Sequence, residues 1–261
     1  MAMSLRSLFL LLPVVLLHIH VSSVSAQNSI AEVAPVPTQH SVEGSNPVSQ
    51  VLFKPAGGGK PPTTRGAGSR NDRLCPQDAA LNPDNLASRP QPLTALVPSE
   101  QFGLTWAERP TVWVYLPKTS ARQIVLSVRA GRQPFAQRFL PITGERGIVG
   151  IALLENSPPL EVGKSYQWAV VLVCGDRPSP NDPFVTGWVQ RATPGQTFNQ
   201  QQSALERAAR YGEQGIWYDT LTILAEARRS QPNNSELTKI WTNFLAQPSV
   251  GLGAIGEEPL Q

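Results

Sequence analysis

Histidine is nearly absent from this sequence. Of three in 261 residues, His18 and His20 sit in an apolar leader and His40 in a polar stretch, so nothing beyond residue 40 carries an imidazole. Ser–His–Asp and Cys–His catalysis are thereby excluded from any later folded region, together with histidine zinc sites. An excess of one charge is lacking too: 17 basic residues face 16 acidic ones between positions 73 and 261, and the whole chain nets +3. Such a balance offers no basic face for nucleic acid. Long apolar runs are also scarce. After Leu8–Leu17 no stretch approaches the ~20 residues that a membrane-spanning helix needs. Cysteine is confined to Cys75 and Cys174, with no CxxC spacing and no neighbouring imidazole, which argues against redox catalysis.

What is present begins with a leader. The short n-region "MAMSLR", the apolar run "LFLLLPVVLL" and the small residues of "SSVSAQ" predict a signal peptide over residues 1–26, cut after Ala26. An uncleaved anchor is the alternative, and the lack of a cysteine at the cut argues against a lipoprotein. The expectation is an exported protein of the periplasm, cell envelope or exterior, with no transmembrane segment after cleavage. In that oxidising setting Cys75 and Cys174 are expected to pair. Closing a loop of this length contributes about 4–5 kcal/mol in the chain-entropy picture. Buried thiols or a reactive cysteine are the rival readings.

Residues 27–72 are rich in Pro, Gly, Ser and Thr without a sustained apolar period, which predicts a disordered tether. Within it "AGGGKPPT" resembles a phosphate-binding loop only in its GK pair. Pro61 stands where a Ser or Thr would coordinate magnesium, and two prolines forbid a normal helix start there.

From about Leu74 the texture changes. "LTALVP", "TVWVYLP", "RQIVLSVR", "PFAQRFLP", "GIVGIALL", "YQWAVVLVC" and "FVTGWVQRA" are strand-length runs separated by Gly, Pro and Ser turns. In "TVWVYLP" the alternation sets Val112, Val114 and Leu116 opposite Trp113 and Tyr115. The pattern predicts an immunoglobulin- or fibronectin-like antiparallel β-sandwich over residues 73–194. After Pro194 the period moves to about 3.6. "QTFNQQQSALERAARYGEQ" and "GIWYDTLTILAEARRSQPNN" read as two helices meeting near Gly215, with a third in "SELTKIWTNFLA" capped by Asn234 or Ser235. Ala208, Tyr211, Leu224, Ala227 and Pro232 match a tetratricopeptide-like hairpin, with Ala204 and Arg207 departing from it. The chain is therefore expected to be mainly β with a helical C-terminal subdomain and tail over residues 195–261. A single such unit cannot bury its own apolar faces, so it must lean on the sandwich or on another molecule.

Several long segments carry a resemblance: "RGAGSR" before Cys75, "LTALVP", "GLTWAERPTVWVYLP", "GIVGIAL", "PLEVGKSYQWAVVLVC", "GWVQR" and "YGEQGIWYDTLTILAEARR". In that order the chain is similar to the cyanobacterial domain-of-unknown-function family 928 over roughly residues 60–255. The resemblance implies an exported protein of sandwich-plus-helices design, and it carries over no catalytic residue. "RGAGSR" would then be the collar where tether becomes domain.

Candidate chemistry is sparse. Glu100, Glu108, Glu145, Glu155 and Asp176 could serve a carboxylate hydrolase only if folding pairs two of them. Asp176, Asn181 and Asp182 in "GDRPSPNDP" are oxygen ligands without the spacing of a calcium loop, and read as a hairpin turn. No cofactor or metal site is expected. Trp113, Trp168 and Trp188 read as core aromatics, and Tyr211 and Trp217 as packing against each other or against the sandwich. Tyr218, off that face, reads together with Arg228 and Arg229 as an interaction surface. The leading expectation is a non-catalytic module that binds another envelope protein. A glycan-binding module using Trp106 or Trp113 is the alternative, and a carboxylate hydrolase comes third.

Overall fold

Alternating apolar residues form the longer strands, and Gly or Pro stands at many of their turns, as at Pro110 and Pro117 around the strand Thr111–Leu116 and Gly131 after Gln123–Ala130. The computed structural model describes residues 48–56, 74–79, 91–98, 103–195 and 202–261. The leader 1–26, most of the expected tether, the "RGAGSR" collar and Glu100 lie outside the described residues.

The described part is mainly β, with eight strands in two sheets and four α-helices. The first sheet has the order β1 (Thr94–Ala95), β3 (Thr111–Leu116), β6 (Gly147–Ala152), all antiparallel. The second holds β2 (Gly103–Thr105), β8 (Phe184–Arg191), β7 (Ser165–Val173), β4 (Gln123–Ala130) and β5 (Gln133–Pro141), in that order. Its β5–β4–β7–β8 portion is antiparallel, with a bulge between Val128 and Arg129. The all-antiparallel expectation is corrected at one place: β2 runs parallel to β8, Gly103 facing Val189 and Thr105 facing Arg191. The reason is topological, since β2 precedes β8 by some 80 residues and no hairpin dictates its direction.

Alternation puts Ile124, Leu126 and Val128 of β4 on the same side as Tyr166, Trp168, Val170 and Leu172 of β7, all buried. β3 is buried on both faces, Trp113 and Tyr115 included, because helices cover the side that sequence alone leaves open. Cys75 precedes the one-turn α1 (Pro76–Ala79) and is bonded to Cys174 just past β7, their Cα atoms 5.5 Å apart. Asp78 reinforces the junction by accepting from the Thr119 hydroxyl at 2.5 Å and the Ser120 amide at 2.9 Å.

The helices begin where their caps dictate. α2 (Ala204–Glu213) starts behind a capping box in which Ser203 and Glu206 exchange side-chain and backbone bonds, and residues 196–201 of the expected helix lie outside the described residues. Gly215, at φ +73°, turns the chain into α3 (Trp217–Ser230). Asn234 caps α4 (Ser235–Ala246), accepting from the Glu236 and Leu237 amides. α3 packs on β2 of one sheet and β3 of the other, so strands and helices share one continuous core within residues 46–261. Beyond α4 the chain makes a short 3-10 turn, Gly253–Ile255, and residues Pro259–Gln261 bond along β6 at Ile148.

Candidate functional site

The helical end of the molecule holds an extended peptide, and that peptide is the chain itself. Residues 48–56 fall in the stretch expected to be tether, yet Val51 and Phe53 are buried while Leu52 between them is exposed. This corrects the tether expectation for those residues. Alternation over three positions is enough to seat two apolar side chains once a groove exists to receive them. The groove is built from the α2–α3 turn and the end of α4. Gln247 reads the peptide backbone with both ends of its amide: Oε1 accepts from the Phe53 N–H at 2.8 Å, and Nε2 donates to the Val51 carbonyl at 2.9 Å. Ser249 donates to the Phe53 carbonyl at 3.2 Å, and the Lys54 N–H donates to the Gly212 carbonyl at 2.9 Å. Below, the Phe53 ring meets Trp217 edge-on at 4.9 Å, and Trp217 stacks on Phe244 at 5.5 Å. Gly212 permits the approach, since a Cβ there would stand 2.3 Å from the Leu52 carbonyl oxygen.

Tyr218 is the main casualty among the expected interface residues. It is 1% exposed and forms a buried relay: its hydroxyl accepts from Trp168 Nε1 at 2.6 Å and donates to the Trp188 carbonyl at 2.9 Å. Burial drives its pKa well above the usual phenol range, so it stays protonated and able to donate. Two glycines make room for the relay. A Cβ on Gly103 would stand 2.4 Å from the Tyr218 ring, and one on Gly187 2.3 Å from the Trp168 ring. Arg228 and Arg229 are likewise engaged within the chain. Arg228 lies over the Trp241 ring at 5.7 Å and donates to the Glu258 carbonyl; Arg229 lies over the Trp113 ring at 4.9 Å and donates to the Gln261 carbonyl. Partial burial pulls both guanidinium pKa values down.

A second site lies where the segment after β2 faces α2 and α3. Thr105, Ala107, Arg109, Tyr211, Asp219 and Thr222 are among the residues lining a cavity of about 260 Å³. Asp219 is fixed there by the chain across from it: its Oδ2 accepts from the Thr105 hydroxyl at 2.7 Å and the Trp106 N–H at 3.2 Å. Burial raises the Asp219 pKa, and those hydrogen bonds oppose the rise. Arg109 is held by Nε donation to the Ser157 carbonyl at 2.9 Å. Tyr211 meets Trp106 edge-on at 5.1 Å, and burial, then the Asp219 charge, raises its pKa. Of the two packings expected for Tyr211 and Trp217, the structure shows the one against the strands: Tyr211 meets Trp106 beside β2, and Trp217 donates to the Leu96 carbonyl beside β1 while its ring meets Phe53.

With both sites described, the chain can be placed among known proteins. The family described as Domain of Unknown Function (DUF928) matches residues 65–260, most of the chain. The chain belongs to the DUF928 family. No curated protein matches it. The DUF928 match begins after residues 48–56, so the peptide that fills the groove precedes the family's shared region while Gln247 lies inside it.

The remaining expectations for this DUF928 chain resolve into structure more than chemistry. Trp113 and Trp168 are fully buried, and Trp113 Nε1 donates to Thr222 at 3.0 Å, which removes Trp113 as a sugar platform. Trp188 is half-buried and supplies the carbonyl that Tyr218 uses. Glu108 is exposed and pairs with Arg191 at 3.0 Å and Arg109 at 3.8 Å. Glu145, Glu155 and Asp176 are exposed. Asp182 is buried because it ties the β7–β8 loop, accepting from the Ser179 and Cys174 amides. Among the described residues no three His, Cys, Asp or Glu side chains gather as a metal site. Gln247 and Asp219 had no prior signal in the sequence: a lone glutamine after a helix and a lone aspartate in a first turn are common surface residues.

Proposed function

We propose that this DUF928 chain is an exported, non-catalytic protein-interaction module whose helical end receives extended peptide segments. The observation that carries this reading is the Gln247 amide bonding both flanks of a buried apolar–x–aromatic peptide, Val51–Leu52–Phe53. Two-ended reading of a backbone by one side chain is sequence-tolerant, while pockets at alternate positions select the side chains. The partner is an envelope protein presenting a β-branched residue two positions before an aromatic, and the chain's own residues 48–56 hold the place until it arrives. Export is supported by the leader-like residues 1–26, by the Cys75–Cys174 bond and by the lack, among the described residues, of a helix able to cross a membrane. In this reading the two sheets act as a sandwich-like base and α2–α3 as a tetratricopeptide-like hairpin that borrows the sheets to cover one face. The cyanobacterial envelope is the setting we assign to it. Site-specific photo-crosslinking from Glu213, exposed beside Lys54, tests the proposal in cells. The expected product is one envelope protein crosslinked through an apolar–x–aromatic segment and lost in Gln247→Ala. Crosslinks that persist unchanged in Gln247→Ala would sink the groove.

A further inference from the structure

The cleft behind Asp219 asks for a different ligand from the groove. Its lining sets Asp219, Arg109 and threonine hydroxyls among two tyrosine rings, Tyr211 and Tyr218, and the apolar Ala107, Pro110 and Ile223, around about 260 Å³. Each simple ligand class meets an obstacle there. A cation would face Arg109, an anion would face Asp219, and a hydrocarbon would give neither group a partner beyond those it has within the chain. A neutral ring bearing several hydroxyls satisfies both, because each hydroxyl donates to one and accepts from the other.

The two charged groups are also held in place. Asp219 is anchored from α3 across to Thr105 and Trp106, so its carboxylate is not free to swing when the cleft is empty. Arg109 is tied at Nε to the Ser157 carbonyl, which fixes the plane of its guanidinium. Such fixation is what polar recognition of a small ligand requires, since ordering costs have been met before the ligand arrives. Tyr211 adds a ring face or edge against which the carbon skeleton of a sugar can lie, and Trp106 packs behind it. The space is large enough for one sugar ring.

We infer that the cleft between the segment after β2 and helices α2 and α3 is a binding subsite for a single neutral monosaccharide unit, with Asp219 accepting and Arg109 donating. The site does not depend on the peptide groove, which lies on Gln247 and Trp217, so either can fail alone.

The test is titration of the full exported chain with glucose, galactose, mannose and N-acetylglucosamine, followed by tryptophan and tyrosine fluorescence and by calorimetry. Two variants accompany it. Asp219→Asn removes the acceptor charge, and Ala107→Leu fills the cleft without touching a polar contact. The expected result is saturable binding of at least one of the four sugars, weakened tenfold or more in both variants, with the melting temperature of Ala107→Leu unchanged. Four flat titrations of the wild-type chain would overturn the inference. So would sugar binding of equal strength in folded Ala107→Leu, which would place the sugar elsewhere on the molecule.

Discussion

Replacing Tyr218 by phenylalanine removes one oxygen and nothing else, and the structure says what that oxygen does. It is the acceptor for Trp168 Nε1 and the donor to the Trp188 carbonyl, at a position 1% exposed. Water cannot replace it without a cavity, and phenylalanine opens none of useful size. A buried indole N–H left without an acceptor costs about 1–3 kcal/mol, and the lost bond to Trp188 adds about 1 kcal/mol. Tyr218→Phe should therefore lose about 2–4 kcal/mol, roughly 4–16 °C in melting temperature for a chain of this size. The assay is equilibrium urea unfolding followed by circular dichroism, with the slope of the transition unchanged. Trp168→Phe should cost less when introduced into Tyr218→Phe than into the wild type, because the two changes remove one shared bond. A loss below about 0.5 kcal/mol, or strict additivity with Trp168→Phe, would refute the relay. Tyr218→Ala is a different perturbation. It adds a cavity worth about 3–5 kcal/mol, a large share of the 5–15 kcal/mol of a typical domain, so any loss of partner binding in it would report unfolding.

Other outcomes follow from the same geometry. Reducing Cys75–Cys174 under native conditions should lower the stability of the oxidised chain by about 4–5 kcal/mol, read as a shift in urea midpoint; equal midpoints with and without reductant would contradict the pairing. Gly187→Ala should lose about 1–3 kcal/mol, since the new Cβ would stand 2.3 Å from the Trp168 ring; wild-type stability would mean that the ring can move aside. The Asp219 pKa is raised on folding, so the native state holds that proton more tightly than the unfolded chain does. Its ionisation therefore opposes folding above the raised pKa, and that penalty fades as pH falls through the raised value toward the ordinary one. Asp219→Asn should flatten the dependence of stability on pH in that acidic window. Identical pH profiles for the two proteins would show that Asp219 titrates as it does in the unfolded chain.

Much of the β architecture could be read from alternation, because six of the eight strands are six to nine residues long and turn residues punctuate them. β2 was illegible for the opposite reason: three residues carry no period, and its parallel partner lies far along the chain. The start of α4 is legible to within one residue, Asn234 or Ser235, because Pro232 ends the helix before it, whereas the polar run before Ser203 leaves the cap of α2 unmarked in the sequence. The candidate sites were harder. Tyr218 reads as a surface residue because Trp217 beside it defines an apolar face, yet α3 is covered on more than one side and buries both. Residues 48–56 have the composition of a tether, and only the groove made by Gln247, Gly212 and Trp217 turns Val51 and Phe53 into core. A groove assembled from three separate segments leaves no mark in any one of them.

The measurement that bears most directly on the peptide-receptor account uses the chain's own segment in trans. A labelled peptide of residues 48–56 is titrated, with anisotropy as readout, into the Phe53→Ala chain, whose own segment is weakened by about 3–5 kcal/mol. The account expects saturable binding there, little binding to the wild type whose groove is filled, and loss of binding on adding Gln247→Ala. A folded Phe53→Ala chain that ignores the peptide, or binds it equally well without Gln247, would contradict the claim that this helical end is a receptor for extended peptides.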